Sequence, residues 1–209
     1  MSPARCRVSD SGSAETLVGW LRRTEQPLSY TTTQRKAANR RPRIDAGAIG
    51  VLIAFLAIAY AVAAFGAFTT IGAVNGWYSR SAHVVWTPPN AAFGPVWAVL
   101  YTMIAVAGWL VWQHRTRRRA PVALPLFVIQ LVLNSLWTPI FFGGYSLIGP
   151  VALWIALAVI LLLDLAVAAT IAAFWPVSRV AALLLVPYLV WILYASTLNW
   201  GDAALNALG

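Results

Sequence analysis

The residues best suited to binding chemistry lie in three apolar segments that carry aromatic rings and a few hydrogen-bonding groups at helical spacing. In one segment Asn134, Trp137, Thr138 and Phe141 stand at positions i, i+3, i+4 and i+7, which places them on one face of a helix. Aromatic rings can stack on a flat ligand, while an amide and a hydroxyl can bind its polar edge. This combination indicates a pocket for a planar amphipathic molecule.

Two further apolar segments carry a similar pattern. One pairs two aromatic rings at i and i+4, and the other is a stripe with a small residue in its middle: Trp97 and Tyr101, then Tyr188, Trp191, Ala195 and Asn199. Helix packing held together by Asn and Thr side chains would explain each stripe taken alone. Trp residues near helix ends form interfacial belts, but Trp97, Trp137 and Trp191 lie away from the ends of their segments, and this favours a cavity.

The composition requires a membrane around these segments. Of 209 residues, 60% are hydrophobic and 10% are charged, which is more apolar surface than a soluble domain of this size could bury. Breaks in the charge pattern and a Gly-Gly pair divide the chain into five apolar spans, and the alternation typical of a β-barrel is missing from the sequence. The expected fold is an all-α bundle of five transmembrane helices, at about 49–71, 92–112, 122–142, 147–173 and 180–200, within a domain at 46–206.

Positively charged residues are unevenly distributed across the membrane. Five spans put the N-terminal tail and the second and fourth loops on one side, with 14 Lys and Arg residues, whereas the other side has Arg80 alone. Lys and Arg concentrate in cytoplasmic loops. We therefore expect a bacterial inner-membrane protein with a cytoplasmic N-terminus and an external C-terminus. Its first loop, residues 75–90, would face outward and is named the lid.

The N-terminal tail, residues 1–45, is polar and basic and is expected to be disordered. Its arginines could bind anionic lipid headgroups, but a solvated segment that sets the topology explains them more simply. The net charge of +9 follows from this topology and gives little indication of nucleic acid. Cys6 is the only cysteine, which excludes disulfide frameworks and thiolate metal sites, and no metal site is expected.

Two ionisable residues invite a functional interpretation. Asp164 is the only carboxylate inside an expected span, where it could couple transport to proton movement or bond a Tyr, Trp or amide of a neighbouring helix. We favour the structural role, because no second ionisable residue lies within the spans. His83 lies in the lid and could approach a haem iron, although a solvated loop histidine is the more common situation. The sequence contains no hydrolase or ATPase motif, which argues against those enzyme classes.

Several motifs resemble the tryptophan-rich sensory protein/translocator protein family. The resemblance extends over residues 49–206, in the order and spacing of all five helices, and it is most specific from Trp86 to Tyr101 and around Asn134. The motifs are Trp77-Tyr78, Trp86-Thr87-Pro88-Pro89, Phe93-Gly94-Pro95-Val96-Trp97, Leu100-Tyr101, Gln130-x-x-Leu133-Asn134-x-x-Trp137, Phe141-Phe142, Asp164, and Pro187-Tyr188-x-x-Trp191 with Ala195 and Leu198-Asn199.

The resemblance implies a five-helix bundle, often a homodimer, that binds porphyrins in a cavity beneath the lid. Two tryptophans of this cavity are implicated in the breakdown of protoporphyrin in light and oxygen in some relatives, and Trp97 and Trp191 match them. His83 and Val84 replace a common Lys-Pro pair, so Arg80 or His83 would meet porphyrin carboxylates. The implied ligand-binding residues are Tyr78, Arg80, His83, Trp86, Pro88, Trp97, Tyr101, Asn134, Trp137, Thr138, Phe141, Trp191 and Ala195.

The expected function is that of a membrane receptor or sensor that binds a porphyrin-type tetrapyrrole, such as protoporphyrin IX, and acts in its sensing, transport or disposal. The expected partners are this ligand, membrane lipid and a second copy in a homodimer, with no obligatory cofactor. One alternative is an enzyme that degrades porphyrin with light and oxygen through Trp97 and Trp191. Another is a small-molecule transporter that uses Asp164. Tight sterol binding is not expected, because no Lys or Arg follows Tyr188 in the fifth span.

Overall fold

Five long α-helices form the bundle in the computed structural model, which describes residues 46–207. They are numbered along the chain as α1 Ala46–Val74, α2 Asn90–Gln113, α3 Ala120–Thr138, α4 Val151–Phe174 and α5 Arg179–Leu205. A π-helical turn, Pro139–Gly143, extends α3. All five helices are long and apolar enough to cross a membrane. The expected fold class, an all-α bundle of five membrane-spanning helices, is confirmed.

The helices bury small and branched side chains against one another. α4 packs against α3 and α5, while α2 packs against α1 and α5. Ile160, Leu185 and Ile192 are fully buried in this core. By contrast, α1 lies at the edge of the bundle and buries only Ala59 and Ala73. Lipid can solvate the remaining apolar side chains, and therefore each helix is apolar on its outer face as well as on its inner face.

The start of α4 and the end of α5 differ most from the spans expected from the sequence. α4 begins at Val151 rather than at residue 147, because Gly149 has a positive φ of 65° and separates α4 from the helical turn Tyr145–Ile148. α5 continues to Leu205, whereas the expected span ends at residue 200, before the charge of Asp202. The Asp202 side chain is buried against the lid, so its charge does not require the helix to end there.

The loops α2–α3 and α4–α5 lie on the same side of the bundle and are joined to each other. Arg117 Nη1 donates a hydrogen bond of 2.7 Å to the carbonyl oxygen of Val177. Ser178 caps α5, since its hydroxyl oxygen accepts a bond of 3.3 Å from the backbone N–H of Ala181. This side is named the arginine side after its residues Arg115, Arg117, Arg118, Arg119 and Arg179.

Two buried asparagines connect the inner helices. The Tyr101 hydroxyl donates to Asn134 Oδ1, and Asn134 Nδ2 donates to the Tyr188 hydroxyl, both at 2.7 Å, which joins α2, α3 and α5. Nearer the lid, Trp137 Nε1 donates to Asn199 Oδ1 at 3.0 Å, while Asn199 Nδ2 donates to a backbone carbonyl of α4 at 2.9 Å. Each amide therefore has a partner at both its oxygen and its nitrogen, as a polar group within a membrane requires.

Replacing Asn134 by Leu keeps the approximate volume but leaves the hydroxyls of Tyr101 and Tyr188 without their buried partner. We expect a loss of about 1–2 kcal/mol in the free energy of unfolding. Thermal unfolding of the detergent-purified protein, followed by circular dichroism, would detect the lower midpoint. The matched control is Thr197→Val, because Thr197 is exposed and its hydroxyl bonds only to Tyr194 of its own helix. An Asn134→Leu protein as stable as this control would contradict the assigned role.

Candidate functional site

A cavity of about 630 Å³ lies between α1, α2, α3 and the lid. Small side chains of α1 form one wall, aromatic rings of α2 and α3 form another, and the lid covers one end. The wall residues include Ala63, Ala64, Gly66 and Ala67 of α1, Trp97 and Tyr101 of α2, Trp137 and Thr138 of α3, Phe142 of the π-helical turn, and Tyr78 of the lid. A predominantly apolar cavity of this size suits an organic molecule rather than an ion.

The aromatic wall is held in place by contacts behind it. The rings of Trp97 and Tyr101 stack with centroids 5.3 Å apart and an interplanar angle of 30°. Trp191 meets Trp97 edge-on at 6.5 Å and 89°. Because the Tyr101 hydroxyl and the Trp137 indole N–H are bonded to the two buried asparagines, neither ring is free to rotate away from the cavity. The wall is therefore pre-oriented for stacking on a ligand.

Five of the thirteen predicted ligand-binding residues line this cavity: Tyr78, Trp97, Tyr101, Trp137 and Thr138. Four others lie outside its walls, namely Asn134, Phe141, Trp191 and Ala195. Of these, Asn134 orients Tyr101, and Phe141 packs on Trp137 at 5.7 Å. The lid residues Arg80, His83, Trp86 and Pro88 are also outside the walls. Whether any of the thirteen contacts a ligand stays a prediction.

Sequence reasoning missed the whole α1 wall of the cavity and six residues of its other walls, namely Asn75, Asn90, Phe93, Gly94, Ala98 and Phe142. Tyr60 and Thr70 belong to the α1 wall together with the small residues of α1. At Gly66 a Cβ atom would lie 3.5 Å from the Thr138 side chain, an ordinary contact distance, so this part of α1 lies directly beside α3. In the sequence, the group Gly66, Thr69 and Thr70 was the one sign of a polar face on α1. The threonines do not mark the cavity clearly, because both hydroxyls donate to the carbonyl oxygen of Gly66 within their own helix.

His83 fastens the lid to the end of α5. Its Nδ1 lies 3.1 Å from Asp202 Oδ1, and its Nε2 lies 2.7 Å from the carbonyl oxygen of Tyr78. The imidazole thus joins two segments of the protein and does not face the cavity. The expectation of a solvated loop histidine is wrong, because the side chain is only 24% exposed and both ring nitrogens have partners.

Further contacts between the lid and α5 reinforce this attachment. Asn206 holds Ala82 by two bonds, accepting from its N–H at 3.2 Å and donating to its carbonyl oxygen at 2.9 Å. The Tyr194 hydroxyl donates to the carbonyl oxygen of Trp86 at 2.6 Å. At Gly201 a Cβ atom would overlap the side chain of Val84, so this glycine permits the close approach of the lid. Asp202, Asn206 and Tyr194 were not predicted as site residues.

Tyr78 is the buried residue of the lid that lines the cavity. Its ring is buried and lies 4.2 Å from the His83 ring and 5.4 Å from Phe142. Burial, with a smaller contribution from the charge of Asp202, raises the pKa of Tyr78 from 10.0 to about 12. Its hydroxyl therefore stays protonated at neutral pH. Because the pKa is raised in the folded state, the contribution of the protonated Tyr78 hydroxyl to the free energy of unfolding is fully present below pH 10. This contribution is lost as the pH rises toward 12.

Asp164 is bonded within the bundle and does not line the cavity. Its Oδ2 accepts a hydrogen bond of 2.8 Å from the hydroxyl of Ser196, which joins α4 to α5. The side chain is buried, as is that of Ser196. This contact supports the structural role favoured from the sequence, although the partner is a hydroxyl rather than a Tyr, Trp or amide.

Comparisons of the sequence with known proteins find one family over most of the bundle. The sequence profile described as the TspO/MBR family matches residues 54–203. The chain is 40% identical to the Tryptophan-rich protein TspO of Archaeoglobus fulgidus over 76% of this chain and 96% of that protein. It is 41% identical to the Translocator protein of Homo sapiens over 59% of this chain and 71% of that protein. It is 36% identical to the Tryptophan-rich sensory protein of Cereibacter sphaeroides over 69% of this chain and 88% of that protein.

The attachment of the lid can be tested by Asp202→Ala, which removes the carboxylate partner of His83. A hydrogen bond to a charged group contributes about 1.5–3 kcal/mol, so we expect the lid to open at least about tenfold more often. Trypsin would then cleave faster after Arg80, the only Lys or Arg of the lid, and the fragment masses would identify this cut.

Two glycine variants provide an independent test of the same attachment. Gly201→Leu would displace Val84 and increase cleavage after Arg80. Gly50→Leu is the matched control, because within residues 46–207 no other segment lies within 4 Å of a Cβ at Gly50. Equal cleavage rates in the wild type, Asp202→Ala and Gly201→Leu would show that α5 does not hold the lid.

Proposed function

The chain belongs to the TspO/MBR family of integral membrane proteins, and on this premise we propose that it is a receptor for a porphyrin-type tetrapyrrole. The ligand would occupy the cavity between α1, α2, α3 and the lid. Its binding would serve the sensing, transport or disposal of the tetrapyrrole. The observation that carries this proposal is the aromatic wall that faces a wall of small residues across about 630 Å³.

The two walls suit a large flat ring. Trp97 and Trp137 offer indole faces for stacking, and the alanines of α1 opposite them leave space for a macrocycle. Ala64 and Ala67 line the cavity and are exposed, and α1 buries only Ala59 and Ala73, so we propose that the ligand enters from the lipid beside α1. An apolar ring that partitions into the membrane would reach this space at a high local concentration.

Polar groups collect at the lid end of the cavity. Asn75, Tyr78 and Asn90 are wall residues there, and Arg80 is exposed in the same segment. A porphyrin with carboxylates on one edge would place its ring between the apolar walls and its carboxylates toward these groups. Arginine binds carboxylates through charge-assisted hydrogen bonds, so Arg80 is the proposed partner. His83 is less suited to this role, because both its nitrogens already have partners.

The names of relatives indicate the two biological settings in which such binding would matter. One relative is called Translocator protein and another Tryptophan-rich sensory protein. Transport and sensing both require reversible binding, which stacking in a preformed cavity would provide. A transport mechanism coupled through Asp164 receives less support, since that carboxylate bonds to Ser196 away from the cavity.

Light-dependent degradation of the ligand is a second candidate, favoured by one observation. Trp97 lines the cavity and is in ring contact with Trp191, whose buried indole nitrogen has no hydrogen-bond partner among residues 46–207. Two electron-rich indoles in contact would be suited to react with a photo-excited porphyrin and oxygen. This candidate differs from simple binding because the porphyrin would be consumed.

Binding can be measured by titrating the detergent-purified protein with protoporphyrin IX in the dark, following tryptophan quenching. We expect saturable binding that Trp97→Leu weakens at least tenfold, about 1.4 kcal/mol, because the stacking face is lost. Trp175→Leu is the matched control, since Trp175 is half exposed on the arginine side and does not line the cavity. Unchanged affinity in Trp97→Leu would place the ligand elsewhere, and absence of saturation would refute the proposal.

Illumination of the bound complex in oxygen separates the two candidates. Loss of the porphyrin spectrum in the wild type, but not in Trp191→Phe with retained binding, would favour the degrading enzyme. A porphyrin recovered unchanged after illumination would favour the receptor.

A further inference from the structure

A second cavity, of about 410 Å³, lies between α1, α2 and α3 in the half of the bundle nearer the arginine side. Its walls are apolar and include Phe55 and Val62 of α1, Ile104 of α2, and Leu124 and Leu131 of α3. Ser135 also lines it, but its hydroxyl donates at 2.8 Å to a carbonyl of its own helix. This space is named the groove. It is separate from the cavity of the proposed function, and the inference below does not depend on that function.

The groove has the length of one membrane leaflet. Its walls on α3 extend from Leu124 to Ser135, which is about 16 Å at the rise of an α-helix. The hydrocarbon core of a bilayer is about 30 Å thick, so the groove begins near the interface on the arginine side and ends near the middle of the membrane. A single acyl chain of a phospholipid occupies this depth.

Aromatic rings form the end of the groove that lies nearest the arginine side. The Phe55 ring is 6.4 Å from Trp112 and 5.9 Å from Phe127. A Cβ atom at Gly108 would meet the rings of Phe55 and Phe127 at 2.6 Å, so this glycine allows the rings to lie deep between the helices. Trp112 is 37% exposed, as expected for an indole at the membrane interface.

A cation lies at the same end of the groove. Arg115 Cζ is 5.2 Å from the centroid of the Trp112 ring, which is itself a wall of the groove. Within residues 46–207, the two carboxylates are Asp164, bonded to Ser196, and Asp202, paired with His83 near the lid. The arginines of the α2–α3 loop therefore have no carboxylate partner among the described residues. An anion from outside the described residues would balance this charge.

We propose that the groove is a binding site for an anionic phospholipid of the leaflet on the arginine side. One acyl chain lies in the groove, and the phosphate binds Arg115, with Arg118 and Arg119 exposed in the same loop. Arg117 contributes less, because its guanidinium donates to Val177. Basic residues beside a space between transmembrane helices are the usual arrangement for an anionic headgroup.

A second copy of the chain fits the groove less well. A helix from a partner is about 10 Å wide and crosses the whole membrane, whereas the groove ends near its middle. The acyl chain would also fill the space beside α1, which buries only Ala59 and Ala73 against the protein. Lipid in the groove would therefore stabilise the position of α1.

Native mass spectrometry of the full-length protein tests the proposal, with dioleoyl phosphatidylglycerol and dioleoyl phosphatidylcholine as probes. We expect the wild type to retain phosphatidylglycerol at least threefold more than phosphatidylcholine. Arg115→Gln should remove this preference, because the phosphate loses its cation. Arg179→Gln is the matched control, since Arg179 lies 5.9 Å over Trp175 on the same side but not at the groove.

A second pair of variants tests the acyl chain independently of charge. Val128→Trp would fill the groove and reduce retention of phosphatidylglycerol, whereas Val190→Trp adds the same ring to an exposed position of α5 outside the groove. Equal effects of Arg115→Gln and Arg179→Gln would overturn the site in favour of diffuse charge attraction. A lipid-free dimer that Val128→Trp disrupts and Val190→Trp does not would overturn it in favour of a second copy.

Discussion

The bundle depends on the hydrogen bonds of two buried asparagines, within a medium that offers them no other partner. Asn134 bonds to Tyr101 and Tyr188, and Asn199 bonds to Trp137 and the backbone of α4. Each side-chain amide bonds through both its oxygen and its nitrogen. These bonds fix the rotation of α2, α3, α4 and α5 relative to one another. Tyr101 and Trp137 are also walls of the main cavity. The contacts that hold the helices together therefore also orient the rings that would bind a ligand.

The first helix, α1, packs less closely against the bundle than the other helices do, and both cavities lie beside it. α1 buries only two alanines and is tied to α2 by the Tyr60 hydroxyl, 2.8 Å from Thr102, and by the Trp109 indole, which donates to the carbonyl oxygen of Ala48. Between such contacts α1 does not fill the space beside it: small side chains line the main cavity, and the larger Phe55 and Val62 line the groove. One space reaches the lid and the other reaches the arginine side, so a loosely packed helix separates a candidate ligand cavity from a candidate lipid site.

The two sides of the protein differ in the burial and pairing of their charged side chains. Near the lid, a carboxylate on α5 is buried against an imidazole, and this contact helps to close the cavity. On the arginine side, the cations of the α2–α3 loop are exposed and have no acidic partner among residues 46–207. The first arrangement favours a closed cover over an apolar ligand, while the second favours contact with the charged surface of the membrane. The same five helices thus present a contact within the protein at one end and a candidate lipid site at the other.

The sequence alone determined the number of helices and the family, because apolar spans bounded by charges and the Trp-rich motifs are local features. It also identified Trp97, Tyr101, Trp137 and Thr138 as residues of the cavity wall, since helical spacing shows which residues share a face. It could not identify the α1 wall, because a uniformly apolar helix does not mark the face that meets a cavity. The pairing of His83 with Asp202 was equally hidden, because the two residues are 119 positions apart. Only the tertiary structure brings such residues together, since the contacts that choose between the faces of a helix come from distant parts of the chain.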